Sequence, residues 1–155
     1  SSLTGDKFIF GQTVQGIHNG IRNNGFLHQA HWGADTNGST NLIDYLRNDD
    51  DGWIHATWTY NGETDTGKIY LDGELHSSTL LSSVPFVTQK FLYLGQKNNN
   101  FNGYLNYLEY INDALTIDEA KSLYESNVNK MPDKVIPYTE VFYEKHKKEK
   151  KLKKE

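Results

Sequence analysis

The chain has no cysteine and only three prolines in 155 residues. Without cysteine, a disulfide framework and a thiolate metal centre are both excluded. No run of residues reaches the roughly 18 apolar positions of a membrane-spanning helix. No charged and apolar secretory leader is visible, which leaves export open. Also missing are a nucleophile elbow, a phosphate-binding P-loop and a dinucleotide fingerprint, so three common enzyme chemistries lose their usual sequence carriers. Positive charge is scarce outside one end. Residues 140–155 hold seven Lys and four Glu, a net of +3 in a chain of net −4, so residues 1–139 carry −7. An acidic body lacks the basic footprint that phosphate contacts need, which argues against a nucleic-acid partner.

What the chain does have is aromatic and turn-forming residues. Aromatics make up 13%, with ten Tyr, and there are thirteen Gly. That mixture suits short strands joined by tight turns. The length fits one domain, able to bury about 70% of its unfolded surface.

Strand signals follow one another along the chain. Lys7 to Gln12 alternates Phe8 and Phe10 with Ile9, and Gly16 to Arg22 reads as a second strand. Asn23-Asn24-Gly25 turns the chain into a third, Phe26 to Trp32. Residues 33–52 are rich in Gly, Asn and Asp and read as a long loop, with a short turn at Leu42–Leu46. Trp53 to Tyr60 then places Ile54, Ala56 and Trp58 on a face able to pack a core. Trp53, His55, Thr57 and Thr59 form the other, free to meet solvent or a partner. Lys68–Leu71, an Asp72-Gly73 type I′ turn and Glu74–Leu80 complete a meander. Phe91–Gln96 and Gly103–Ile111 are two more strands. Thr116 with Glu119 forms a capping box ahead of a short helix, Ile117–Ser126. The fold class is all-β, a two-sheet antiparallel sandwich. Ile54, Ala56, Trp58, Ile69, Leu71, Leu92, Leu94 and Leu108 are expected among its buried residues. The domain spans 1–129, a linker covers 130–138, and 139–155 is a basic tail, helical or disordered.

Five motifs in order carry a resemblance. They are Trp53-Ile54-His55-Ala56, Tyr70-Leu71-Asp72-Gly73, Leu92-Tyr93-Leu94-Gly95, Phe101-Asn102-Gly103-Tyr104-Leu105 and Ala114-Leu115-Thr116. With the hairpin over residues 16–38, they make residues 7–126 similar to the laminin-G-like, concanavalin A-like lectin/glucanase jelly-roll family. The resemblance implies a non-catalytic binding or adhesion module that recognises a glycan or a protein, in an extracellular, cell-surface or virion setting. The alternative is an assembly protein whose sandwich packs on partner chains, with a glycoside hydrolase a distant third. Jelly-roll glycosidases use a Glu-x-Asp-x-x-Glu strand. The nearest match, Glu63-Thr64-Asp65, lacks the third acid and falls in a turn.

The family usually opens with one or two further strands, which nothing in this sequence supplies. The strand Gly103–Ile111 is therefore expected at an open edge, covered by another chain or by more of the same polypeptide. Relatives often carry a calcium-ligating Asp where this chain has Asn106, so no cofactor is expected, calcium included. Were calcium bound, Asn106 and the Asp49, Asp50, Asp51 loop would be the candidates. His28 and His31 are three apart on one strand and so face opposite sides, which argues against a shared ion. His18, His28, His31 and His55 are expected to be hydrogen-bonded beside aromatics. A sugar offers CH faces and hydroxyls, so its site needs aromatic rings with amides or carboxylates. Trp32, Asp35, Asn37, Asn41, Tyr45, Tyr60, Asn98, Asn99 and Asn100 lie on or near predicted loops and are the candidate ligand-binding residues. In the tail, Lys147, Lys148, Lys150 and Lys151 are candidates for a tether to an acidic partner.

Overall fold

Turn chemistry and alternation decide where the strands begin and end. The computed structural model describes residues 5–12, 16–31, 33–47, 52–81, 93–95, 101 and 103–130. Strands β1 (Lys7–Gly11), β2 (Ile17–Ile21) and β3 (Phe26–His31) run antiparallel in sequence order. Between β2 and β3, Gly25 takes φ +88° and donates its N–H to Arg22 O at 2.8 Å. This is the three-residue hairpin loop in which glycine supplies the left-handed position. Strand β4 (Asp35–Asn41) pairs with β3, and helix α1 (Leu42–Arg47) follows it directly. Strands β5 (Ala56–Asn61), β6 (Thr66–Leu71) and β7 (Glu74–Leu80) form the meander. Its second turn has Asp72 at φ +50° and Gly73 at +79°, as a type I′ turn requires. Strand β8 (Tyr93–Leu94) pairs with β1, and helix α2 (Ile117–Val128) comes last among the described residues.

The strands form two antiparallel sheets, ordered β4-β3-β2-β1-β8 and β5-β6-β7. Leu27, Leu42, Ile69 and Leu71 form the buried core, with Ile21, Tyr45, Ile54, Ala56 and Trp58 packed against it. Phe10 meets Trp58 edge-on, with ring centroids 5.7 Å apart, which ties the sheets through an aromatic pair. Beside this core, Asn19, Gln29 and Thr36 lie directly opposite one another on β2, β3 and β4, and all three are buried. Gln29 Nε2 donates across the sandwich to Thr59 O at 3.1 Å. Along one side β4 meets β7, where Ser39 Oγ donates to His76 O at 2.7 Å and Thr40 Oγ1 bonds His76 Nδ1 at 2.8 Å. The jelly-roll sandwich expected from the sequence is the architecture observed.

Four expectations need correction. Residues 35–41 form strand β4 and not a loop. Its residues Asp-Thr-Asn-Gly-Ser-Thr-Asn have poor strand propensity. The ladder with β3 and the cross-sheet bonds to His76 hold it instead. Leu94 is 69% exposed and Leu108 47%, so neither belongs to the core. Gly103–Ile111 is in neither sheet. Leu92 lies outside the described residues. Finally, the Thr face of β5 is not free, because α2 and the residues before it cover it. His55 and Thr59 are buried, Tyr70 donates its hydroxyl to Leu115 O at 3.3 Å, and the His55 and Tyr124 rings lie 5.8 Å apart.

The capping box exists as the sequence predicts. Glu119 N–H donates to Thr116 Oγ1 at 3.3 Å, and Thr116 N–H donates to a Glu119 carboxylate oxygen at 2.8 Å. Those bonds hold the Glu119 carboxyl below the usual range. Thr116→Ala is expected to destabilise the domain by about 1 kcal/mol. Faster amide exchange in the first turn of α2 is the check, and unchanged exchange there would contradict the role given to the cap.

Candidate functional site

Alternation sends Leu27, Gln29 and His31 of β3 toward the other sheet, and His28 and Ala30 to the opposite, outer face. Strand registry then gathers their neighbours. Gly20 lies opposite His28, and His18 opposite Ala30, on β2. On β4, Asn37 lies opposite His28, and Asp35 opposite Ala30. Arg22 continues the His18-Gly20 row at the hairpin loop and reaches two carboxylates. Its Nη1 donates to Asp6 Oδ2 at 2.8 Å and its Nη2 to Asp35 Oδ2 at 3.3 Å. Asp6 also accepts from Asn23 N–H at 2.9 Å. The outer face of the five-stranded sheet thus holds a chain of Asp6, Arg22 and Asp35, flanked by Asn37, His18, His28 and Phe8.

Hydrogen bonds fix the two imidazoles. His28 Nδ1 is 2.8 Å from Asn37 Oδ1, which can only accept, so the proton sits on Nδ1. His18 Nδ1 is bound in the same sense to Gly16 O at 3.1 Å. Both Nε2 atoms therefore carry a lone pair. The Phe8 and His18 rings meet edge-on at 4.7 Å, and the His18 and His28 rings lie 5.7 Å apart. Burial pushes the His28 pKa down to about 4, against the opposing Asn37 bond, and lowers that of His18 as well. Burial alone would raise the Asp6 pKa. The bonds from Asn23 and Arg22 outweigh it and hold the carboxyl below its ordinary value. At neutral pH the face presents the neutral His18 imidazole, an amide and a guanidinium shared by two carboxylates, over the neutral and fully buried His28. His28 Nε2 and Asp35 Oδ1 are both buried acceptors without a protein partner among the described residues.

Of the ligand-binding residues expected from sequence, Asp35 and Asn37 come together here. Three others are used within the fold. Asn41 caps α1, with Oδ1 accepting from Ile43 N–H at 2.9 Å, and donates to Asn24 O at 2.7 Å. Tyr45 donates its hydroxyl to Asp72, whose other oxygen accepts from His55 N–H at 2.7 Å. Tyr60 donates to Asp65 Oδ1 at 2.7 Å, and its ring lies 4.9 Å from that of His31 on the inner side. Trp32, Asn98, Asn99 and Asn100 lie outside the described residues, as do Asp49, Asp50, Asp51, Lys147, Lys148, Lys150 and Lys151. Asn106 is exposed, with Nδ2 3.5 Å from Lys130 O. Among the described residues no three His, Asp or Glu side chains are placed to hold a metal ion. Sequence reading missed Asp6 and Arg22 as partners of Asp35. The signal was present in the period-2 row His18, Gly20, Arg22, which one hairpin sets beside His28 and Ala30.

The class that the fold defines is a two-sheet antiparallel sandwich with a polar cluster on the outer face of its larger sheet. Residues 1–121 match the laminin-G-type family described as the concanavalin A-like lectin/glucanases superfamily, and the chain belongs to it. No curated protein and no solved structure matches the chain.

Proposed function

We propose that the protein is a non-catalytic recognition module that binds a glycan or a protein surface through the outer face of its five-stranded sheet, in an extracellular, cell-surface or virion setting. The cluster of Asp6, Arg22, Asp35, Asn37 and His18, set over the fully buried His28, is the observation that carries this reading. It sets a guanidinium, two carboxylates and an amide side by side on one face, and hydroxyl-rich ligands need such donors and acceptors. The same cluster suits binding better than hydrolysis. A glycosidase needs one carboxyl held protonated and another ionised. Here Asp6 and Asp35 share the Arg22 guanidinium, and Asp6 is held in its ionised form. Among the described residues, no helix is long and apolar enough to cross a membrane. The Lys-rich residues 147, 148, 150 and 151 are proposed as a tether to an acidic surface.

A glycan array probed with and without calcium is the test. The expected result is a defined group of ligands whose binding is the same in EDTA, since no cofactor is proposed. Binding that vanishes in EDTA would contradict the metal-free site and direct attention to Asp49, Asp50, Asp51 and Asn106. An array without signal, together with co-purification of one specific protein, would favour the assembly reading. The exposed apolar ribbon at 103–111 is the observation behind that second reading.

A further inference from the structure

Arg22 is the one cation of the outer-face cluster, and its guanidinium is already engaged on two sides. Asp6 Oδ2 accepts from Nη1 at 2.8 Å and Asp35 Oδ2 from Nη2 at 3.3 Å. Two carboxylates against one guanidinium leave one negative charge. The bonds from Asn23 N–H and Arg22 keep Asp6 ionised at neutral pH. The imidazoles do not offset that charge, because burial keeps His18 and His28 neutral. Lys7, the cation next to Asp6 in sequence, lies opposite the core-facing Ile21 and so belongs to the other face. Acceptors are in excess as well. Asp35 Oδ1 and the Nε2 of the fully buried His28 are lone-pair atoms without a protein partner among the described residues.

We propose, resting on the recognition reading above, that Asp6 and Asp35 determine the specificity of this face, which takes uncharged, hydroxyl-donating glycans and excludes sulfated and carboxylated ones. A sulfate or carboxylate binds arginine through the paired N–H groups of a free guanidinium edge. Here Asp6 and Asp35 occupy those groups. An acidic ligand would have to displace one carboxylate and lie beside the other, and like charges set together oppose binding. A sugar hydroxyl meets no such opposition, because it donates to an ionised carboxylate, which has about four acceptor positions. The Asp6 and Asp35 side chains are 22% and 33% exposed, so a ligand can reach them. At physiological salt charges are screened beyond about 8 Å. The local pair, and not the net −7 of residues 1–139, therefore sets the selection.

An array that carries neutral oligosaccharides beside their sialylated and sulfated forms tests the selection. The full chain is applied as wild type, as Asp35→Asn and as an Asp6→Asn, Asp35→Asn double variant, at equal folded concentration checked by circular dichroism. The wild type is expected to bind neutral forms at least about tenfold more tightly than acidic forms of the same oligosaccharide. The double variant frees Arg22 and should bind acidic forms at least about tenfold better than the wild type does. Adding Arg22→Gln should remove that gain. Asp35→Asn alone keeps the Asp6 bond to Asn23 N–H, should show the gain in smaller measure, and decides the matter if the double variant does not fold. A wild type that prefers acidic forms overturns the inference and leaves the recognition reading standing. So do folded variants that gain no acidic ligand. An array silent with the wild type overturns both.

Discussion

Replacing Gly20 with alanine will destabilise the domain by about 3 kcal/mol, at the upper end of ordinary overpacking. A Cβ at this position would stand 2.2 Å from Lys7 O, 2.6 Å from Phe8 Cα and 3.0 Å from Ile9 N. All three are backbone atoms, so no side-chain rotation relieves the clash. Strand β1 would have to move off β2 at the irregular register between Phe8 and Phe10. That movement would also disturb Phe8, and with it the packing of His18 and His28. Urea unfolding should show a lower midpoint at unchanged slope, and Tm should fall by roughly 6–12 °C. Gly38→Ala is the contrast, since its nearest contact would be Leu27 Cβ at 3.3 Å. Equal stability losses in the two variants would contradict the close approach of β1 to Gly20.

Acidification has an effect of similar size. His28 is fully buried and its pKa lies at about 4, against an ordinary value of 6.5. The unfolded chain therefore takes up a proton as pH falls below 6.5, while the native state does not follow until about 4. Stability is complete above 6.5 and is lost through that window, by about 3 kcal/mol from His28 alone. His18, His31 and His55 are lowered by burial too, and each adds loss in the same direction. Asp6, whose pKa is depressed below 3.8, adds its loss only at lower pH. Urea unfolding at pH 7, 5.5 and 4 measures the slope, and His28→Gln should flatten it. A wild-type stability that is level between pH 7 and 4 would show that His28 is not held neutral.

The meander 56–80 was legible because two signals agreed there. Ile69 and Leu71 alternate toward the core, and Asp72-Gly73 has the chemistry of the turn it makes. Strand β4 was not legible, since Gly, Asn, Ser and Asp favour turns and only pairing with β3 and contact with His76 make it a strand. Leu94 and Leu108 misled for the opposite reason. Their local pattern is that of a strand, but burial needs a covering layer, and a pattern cannot say whether one is present. The site divides in the same way. Asp35 and Asn37 stood out as polar residues in a predicted loop, yet strand registry brings them to His28 and Arg22. Arg22 and Asp6 are 16 residues apart, and no local pattern links them. Asn41, Tyr45 and Tyr60 look like ligand-binding residues in sequence, but the structure uses their polar atoms for a helix cap and two turns.

Glycan-array binding by the wild type beside an Arg22→Gln, Asp35→Asn double variant tests the proposed recognition face most directly. Both side chains are partly exposed, so the variant should still fold, with a modest fall in Tm as the check. The expected result is a defined set of ligands bound by the wild type and lost from the variant at equal folded concentration. Wild-type binding that the double variant retains in full would place recognition elsewhere on the molecule and contradict the account.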